Sequence, residues 1–295
     1  MTRPITRAAW VVGGCLVVLL LLFVVFHDRE EKGSGGPPAP ESTPAQGSTP
    51  ADVLVIAHRG ASAYAPQNTV AAAREAVTRG ADALEADIRQ TRDGHLVALL
   101  DPTLARTTNV EQVFPQRRPW RVESFTLAEV KRLDAGSWFG PEFAGERVPT
   151  LSELADALDG TDVEMIVEVK APRRYPGIGE LVLREIRSRP GRYREVESFN
   201  LPFVRQFAQH SPPVKLGAAE APSEEQLREV ASYADAVNVQ QGTVDAGYVD
   251  RAHRLGLEVK MWSLNTPEQV QRGLALDVDG IYSHRPDMVL EVLGR

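Results

Sequence analysis

Two acidic residues two positions apart, Glu85 and Asp87, lie in the strand-like run ALEADIRQ, and a third, Glu168, lies near the end of the run VEMIVEV. Residues i and i+2 of a strand point to one face, so Glu85 and Asp87 present their carboxylates together. Three carboxylates converging at strand ends suit a hard divalent cation, Mg²⁺ or Ca²⁺, because every ligand offered is oxygen. The same acids could instead pair with Arg59, Lys170 or other nearby cations, and spacing alone leaves both arrangements open. His58-Arg59-Gly60 follows another short apolar run, VLVIA. An imidazole titrates near neutrality and a guanidinium grips two phosphate oxygens at once, a combination suited to acid–base work on a phosphate ester. His58 could equally be a structural hydrogen-bonder. Gly60 lets the backbone turn tightly beneath a ligand.

The elements that must hold these residues alternate along the chain. Strands are predicted at 53–58, 83–90, 163–169, 195–199, 214–219, 236–240, 258–264 and 279–283. Helices are predicted between them at 69–79, 151–158, 178–188, 201–210, 224–233, 246–255 and 267–275, with Gly80, Gly256 and Gly273 placed as C-caps and Pro267 in a first turn. Right-handed βα crossovers then give a parallel sheet, most economically an α/β fold closed as a (β/α)8 TIM barrel. The run LVALLD at 96–101 follows Arg92-Asp93-Gly94 too closely for a helix to intervene. It must fold back antiparallel on 83–90 and bring residues 100–101 beside 85–87. Residues 102–162 are too long for an ordinary loop and read as an inserted lid or substrate-binding subdomain with a short helix at 127–133.

The 295 residues, 43% apolar, suffice for one large core. A net charge of −7 argues against a nucleic-acid partner. Residues 1–7 read as a cytoplasmic stub and 8–26, an apolar run without a charge, as an uncleaved transmembrane anchor with Arg3 and Arg7 on its cytoplasmic side. A cleaved signal peptide or lipidation at Cys15 are the alternatives. Residues 27–52 form a flank and a Pro/Ser/Gly-rich linker, so the barrel would occupy 53–295 outside the cytoplasm. Cys15 is the sole cysteine, which leaves the barrel without a disulfide.

The motifs HRG (58–60), P-x-N-T (66–69), E-x-D (85–87), T-x-D-G (91–94) and D-x-x-L-x-R-T-T (101–108) resemble, in type, order and spacing, those of the glycerophosphodiester phosphodiesterase family. L-D-A-G-S-W-F (133–139), V-P-T-L (148–151), E-V-K (168–170), Trp262 and D-G-I…P-D (279–287) extend the resemblance over nearly all of 53–295. It implies a TIM barrel with an inserted subdomain that releases glycerol 3-phosphate and an alcohol. It further implies that Glu85, Asp87 and Glu168 hold one divalent cation, that Arg59 and Lys170 contact the phosphate, and that Trp262 packs on the glycerol end. The family's two acid–base histidines would be His58 and a second one at position 100.

Position 100 is leucine in this chain, Gln67 stands where the family has Glu, and Ser283-His284 replace Thr-Asp. Leucine can neither give nor take a proton, and loss of one acid–base group costs about 10²–10⁴ in rate. Of the six histidines, His284 is the one that could substitute, because the last strand closes the barrel against the strand carrying His58; a surface or loop-capping role is its alternative. The chain therefore reads as a metal-dependent phosphodiesterase of glycerophosphodiesters that is either impaired or uses an altered acid–base arrangement. A silent phosphodiester-binding sensor and a lyase resembling sphingomyelinase D are the competing expectations.

Overall fold

The structure, a computed structural model, describes residues 52–295. The expected anchor at 8–26 and all but the last residue of the flank and linker lie outside the described residues. Among the described residues no helix is long and apolar enough to cross a membrane.

Eight strands form a closed parallel barrel: β1 (Leu54–His58), β2 (Ala83–Gln90), β4 (Glu164–Val169), β5 (Tyr193–Ser198), β6 (Lys215–Ala218), β7 (Ala236–Gln240), β8 (Glu258–Trp262) and β9 (Gly280–Ser283). Pairing of β1 with both β2 and β9 closes the ring. The short strand β3 (Leu96–Ala98) pairs antiparallel with β2, as the turn signal Arg92-Asp93-Gly94 requires, but ends three residues earlier than expected. Its course continues as a single hydrogen bond from Leu99 N–H to the Asp87 carbonyl, 2.8 Å.

Helices α1 (Val70–Thr78), α4 (Leu151–Ala157), α5 (Ile178–Ser188), α6 (Leu201–Ala208), α7 (Glu224–Val230), α8 (Ala246–Arg254) and α9 (Pro267–Leu274) fill the predicted intervals. Their starts are chemically marked. Thr69 caps α1, while Thr150 with Glu153 and Thr266 with Gln269 close reciprocal capping boxes on α4 and α9. A final helix, α10 (Pro286–Leu293), escapes the sequence reading, although Pro286 in its first turn and Gly294 at its end are ordinary start and stop signals.

Strand residues alternate between two apolar environments. Val55, Ala57, Leu84, Ala86, Met165 and Val167 face the helices in the main core. Ile56, Ala83, Ile166 and Tyr282 point inward and form a separate apolar layer inside the barrel. Two residues further along the same strands and strand ends come His58, Glu85, Glu168 and His284. The two-residue period of the strand thus carries the interior from apolar at depth to polar near its C-terminal rim.

The insertion after β3 has its own core of Leu104, Val110, Trp120, Val122, Phe125, Val130, Leu133 and Val148, joined by Val97 and Leu99 from the hairpin. It contains α2 (Val110–Val113) and α3 (Leu127–Val130), the latter shorter than the expected 127–133. Asp134 organises its tip, accepting hydrogen bonds from the N–H groups of Gly136 (2.9 Å), Ser137 (2.8 Å) and Gly145 (2.7 Å) and from the Ser137 hydroxyl (2.9 Å). Partial burial would raise its pKa, but these donors outweigh it and hold the carboxyl at about 2, below its ordinary 3.8. The stabilisation is therefore fully present above about pH 4 and disappears as pH falls through about 2. Asp134→Ala should cost about 2 kcal/mol near pH 7, about 4–8 °C in unfolding midpoint, with the difference from wild type shrinking in acid. Thermal unfolding at pH 7 and pH 2.5 checks both parts.

Candidate active site

His58 ends β1 and is buried at the barrel mouth. Its two ring nitrogens face different partners. Nε2 lies 3.8 Å from Glu85 Oε2, whereas Nδ1 lies 2.7 Å from the Ser263 hydroxyl and 3.2 Å from His284 Nε2. The rings of His58 and His284 stack, with centroids 5.1 Å apart and planes 30° apart. His284 is held by its backbone rather than by its ring. Its N–H donates to Asn265 Oδ1 (2.9 Å) and its carbonyl accepts from Ala63 N–H (3.1 Å), fixing the residue between β8 and β1 loops. Burial, followed by the charge of Arg59 and the proximity of His284, pushes the His58 pKa well below 6.5. Burial and Arg59 act in the same direction on His284. Both rings are therefore neutral at pH 7.

The turn after His58 is built for close approach. Gly60 has φ +80°, and a Cβ there would fall 2.6 Å from that of Ala72 and 2.7 Å from its backbone. Arg59 and Asn68 both adopt left-handed backbone angles, and Asn68 N–H donates to the Arg59 carbonyl at 2.9 Å. Asn68 then reaches Asp87 twice. Its amide donates to Asp87 Oδ2 (2.8 Å), and its Oδ1 accepts the Asp87 N–H (3.1 Å). The P-x-N-T motif contained this residue, yet nothing in its spacing disclosed that it braces an acid nineteen positions on.

Asp87 is also where the cations gather. Arg59 Nε lies 2.9 Å from Oδ2 and Lys170 Nζ lies 2.9 Å from Oδ1, while Lys170 also bonds Glu168 Oε1 at 2.5 Å. Burial alone would raise the Asp87 pKa, but Lys170, Arg59 and Asn68 reverse that and lower it. Burial likewise opposes the charge on Lys170, and Asp87 with Glu168 overcomes it, so the ammonium keeps its proton more firmly than an ordinary lysine. Asp87 thus makes ion pairs with both Arg59 and Lys170, as Glu168 does with Lys170. Gln67 adds a 3.4 Å hydrogen bond from Arg59 Nη1.

The remaining acids form a different group. Glu85, Glu168 and Glu197, all buried, each bring one oxygen within 4.8 Å of the others'. Glu85 Oε2 accepts the Arg59 N–H at 2.9 Å, but Glu85 Oε1 is buried without any hydrogen-bond partner. An unpaired buried carboxylate oxygen beside two further carboxylates is the donor set a hard divalent cation requires, so the residues fit one. Glu197 went unnoticed in the sequence, although the run R-E-V-E-S carries the same i, i+2 pair of acids as E-A-D at 85–87.

Leu100 lies on the segment beyond β3, half-buried, and its carbonyl accepts Arg89 Nε at 3.1 Å. Its neighbour Asp101 pairs with Arg106 at 2.5 Å. Trp262 ends β8, donates its indole N–H to the Asn238 carbonyl (2.9 Å) and meets the exposed Phe199 edge-on at 5.9 Å. Phe199 in turn lies 5.3 Å beneath the Lys170 ammonium, so an aromatic wall borders the cationic grip.

A closed parallel barrel whose strand ends gather a histidine pair, two cations and a cluster of buried carboxylates defines a (β/α)8 protein with a candidate active site at its C-terminal rim. The chain belongs to the glycerophosphoryl diester phosphodiesterase family, whose model matches residues 58–288. It is 34% identical over 249 residues to a glycerophosphodiester phosphodiesterase of Caldanaerobacter subterraneus subsp. tengcongensis, covering 81% of this chain and 97% of that one. A glycerophosphodiester phosphodiesterase of Bacillus subtilis is 31% identical over 266 residues, covering 83% and 87% of the two chains. Among solved structures, an Oleispira antarctica phosphodiesterase in complex with the product sn-glycerol-3-phosphate superposes with a TM-score of 0.74 at 26% identity, covering 82% and 97%.

Proposed function

We propose that this protein hydrolyses glycerophosphodiesters to glycerol 3-phosphate and a free alcohol, using His58 and His284 as its acid–base pair and a divalent cation, Mg²⁺ or Ca²⁺. The observation that carries the reading is the 3.2 Å contact between His58 Nδ1 and His284 Nε2 beside the Arg59–Lys170 grip. It supplies a second imidazole where position 100 has none.

In this reading Arg59 and Lys170 hold the non-bridging phosphate oxygens, and Asp87 with Asn68 keeps both cations aimed. Trp262 packs against the glycerol carbons. A cation bound at the carboxylates would act as a Lewis acid on the phosphoryl group. Neutral His58 accepts a proton from the attacking hydroxyl, either water or the free glycerol hydroxyl. The P–O bond to the alcohol breaks, and the departing oxygen takes up a proton delivered through the His58–His284 contact. When the glycerol hydroxyl attacks first, water reopens the cyclic phosphate by the same proton path in reverse. The domain would work on the outer face of a membrane, a placement supported by the apolar run at 8–26 with Arg3 and Arg7 before it.

The test is release of glycerol 3-phosphate from glycerophosphocholine and glycerophosphoglycerol, read by a coupled dehydrogenase. Turnover should vanish in EDTA and return with Mg²⁺ or Ca²⁺. Binding of the diesters without turnover above that of His58→Ala would replace hydrolysis by the silent binding module that Leu100 otherwise favours.

A further inference from the structure

The His58 ring is held on three sides, and one of its holders has no part in the proton path described above. The edge of Tyr282 meets the ring at 5.9 Å with the planes 78° apart, and His284 stacks on its face. The third contact is the Ser263 hydroxyl, 2.7 Å from Nδ1 and nearer than His284 Nε2 at 3.2 Å. A ring nitrogen offers one proton or one lone pair, so Ser263 and His284 compete for Nδ1, and the shorter contact takes the larger share. Nε2 has Glu85 Oε2 at 3.8 Å, beyond hydrogen-bond range.

The hydroxyl is aimed by its backbone. Ser263 directly follows β8, and its carbonyl accepts Gln241 Nε2 at 2.8 Å. The carbonyl before it, on Trp262, accepts the Gln241 N–H at 2.8 Å, and the N–H after it, on Leu264, donates to the Tyr282 carbonyl at 2.9 Å. The turn is thus pinned to the end of β7 on one flank and to β9 on the other. Two residues on, Asn265 accepts the His284 N–H at 2.9 Å. Residues 263–265 therefore hold both imidazoles, one by its ring and one by its backbone.

A base acting through Nε2 needs a bare lone pair there, which puts the single proton of a neutral imidazole on Nδ1. We infer that Ser263 is a positioning residue for His58. Its hydroxyl oxygen accepts the Nδ1–H and so fixes the tautomer and ring orientation in which Nε2 is unprotonated. His284 receives the Nδ1 proton only after Nε2 has taken one from the attacking hydroxyl. The inference rests on the hydrolytic reading above and adds to it the group that prepares the base.

Ser263→Thr and Ser263→Val separate the hydroxyl from the side chain's shape, since the two replacements are nearly alike apart from that group. With the full chain in Mg²⁺ at pH 7, Ser263→Val should lower kcat on glycerophosphocholine about tenfold with KM changed by less than about twofold, whereas Ser263→Thr should stay within about threefold of wild type. Ser263→Ala should match Ser263→Val and secures the test if a branched side chain unfolds the turn. Nitrogen-15 spectra of the histidine rings, with His58 assigned by its loss in His58→Gln, should show Nδ1 protonated and Nε2 bare in the wild type, and a mixture of tautomers in Ser263→Ala. Wild-type kcat in Ser263→Ala, equal losses in the Thr and Val variants, or a wild-type His58 protonated at Nε2 overturns the inference. The spectra need no turnover. A chain that shows the Nδ1–H tautomer, loses it in Ser263→Ala and yet hydrolyses no diester keeps Ser263 as the holder of His58 and overturns the hydrolytic reading.

Discussion

His58→Ala should lower turnover by about 10²–10⁴, and His284→Ala should fall in the same range, because either change removes one imidazole from a two-imidazole proton path. The effects should not multiply. With the rings stacked at 5.1 Å and their nitrogens 3.2 Å apart, the double variant should lie within about tenfold of the worse single one. Leu100→His sharpens the point. Added to the wild type it should raise turnover little, since the path is complete; added to His284→Ala it should recover part of the loss. Steady-state kinetics across pH decide this, because a merely structural His284 would leave the pH profile of kcat unchanged. A His284→Ala enzyme with wild-type kcat and an unmoved profile removes His284 from the mechanism.

The second large effect is on folding. Lys260 is among the largest fully buried side chains of the described residues and pairs with Glu195 at 2.6 Å and Glu258 at 3.0 Å. Burial works against its charge, and the two carboxylates more than restore it, so the ammonium persists. Lys260→Met strands Glu195 in the barrel interior without its cation, a loss of about 3–5 kcal/mol. Adding Glu195→Gln, which removes the stranded charge, should return a good part of that. Urea unfolding of the wild type and the two variants reads the difference directly. A Lys260→Met midpoint equal to wild type would show that water or a proton already compensates Glu195.

Why some of this was legible in the sequence and some was not follows from chain distance. His58-Arg59-Gly60 and Glu85-x-Asp87 announce themselves because their partners are local and the strand period fixes their facing. The barrel was legible for the same reason, as each βα unit carries its own caps and periodicity. His284 could be suspected from the closing of the ring, but the contact itself spans 226 positions and depends on the Asn265 side chain and the Ala63 N–H that clamp the His284 backbone. Asn68, Ser263 and Glu197 are ordinary polar residues until the barrel brings them to a buried partner. Nothing in the sequence singles out Lys260 and Asn238, which the fold buries beneath the carboxylates in contact with Glu195. Even Asp87, identified correctly as an acid at the rim, could not be assigned from sequence to a cation of the protein or to one from solution.

The subdomain after the second barrel strand has a core separate from the barrel's, seeded by Val97 and Leu99 on the hairpin that leads into it. A segment that buries its own apolar residues can be lengthened, shortened or exchanged without repacking the strands beneath. In engineering terms it is a cassette with its own core, joined to the barrel through the hairpin residues Val97 and Leu99. Exchanging this segment for a relative's and comparing turnover on glycerophosphocholine and glycerophosphoglycerol tests whether it sets the choice of alcohol.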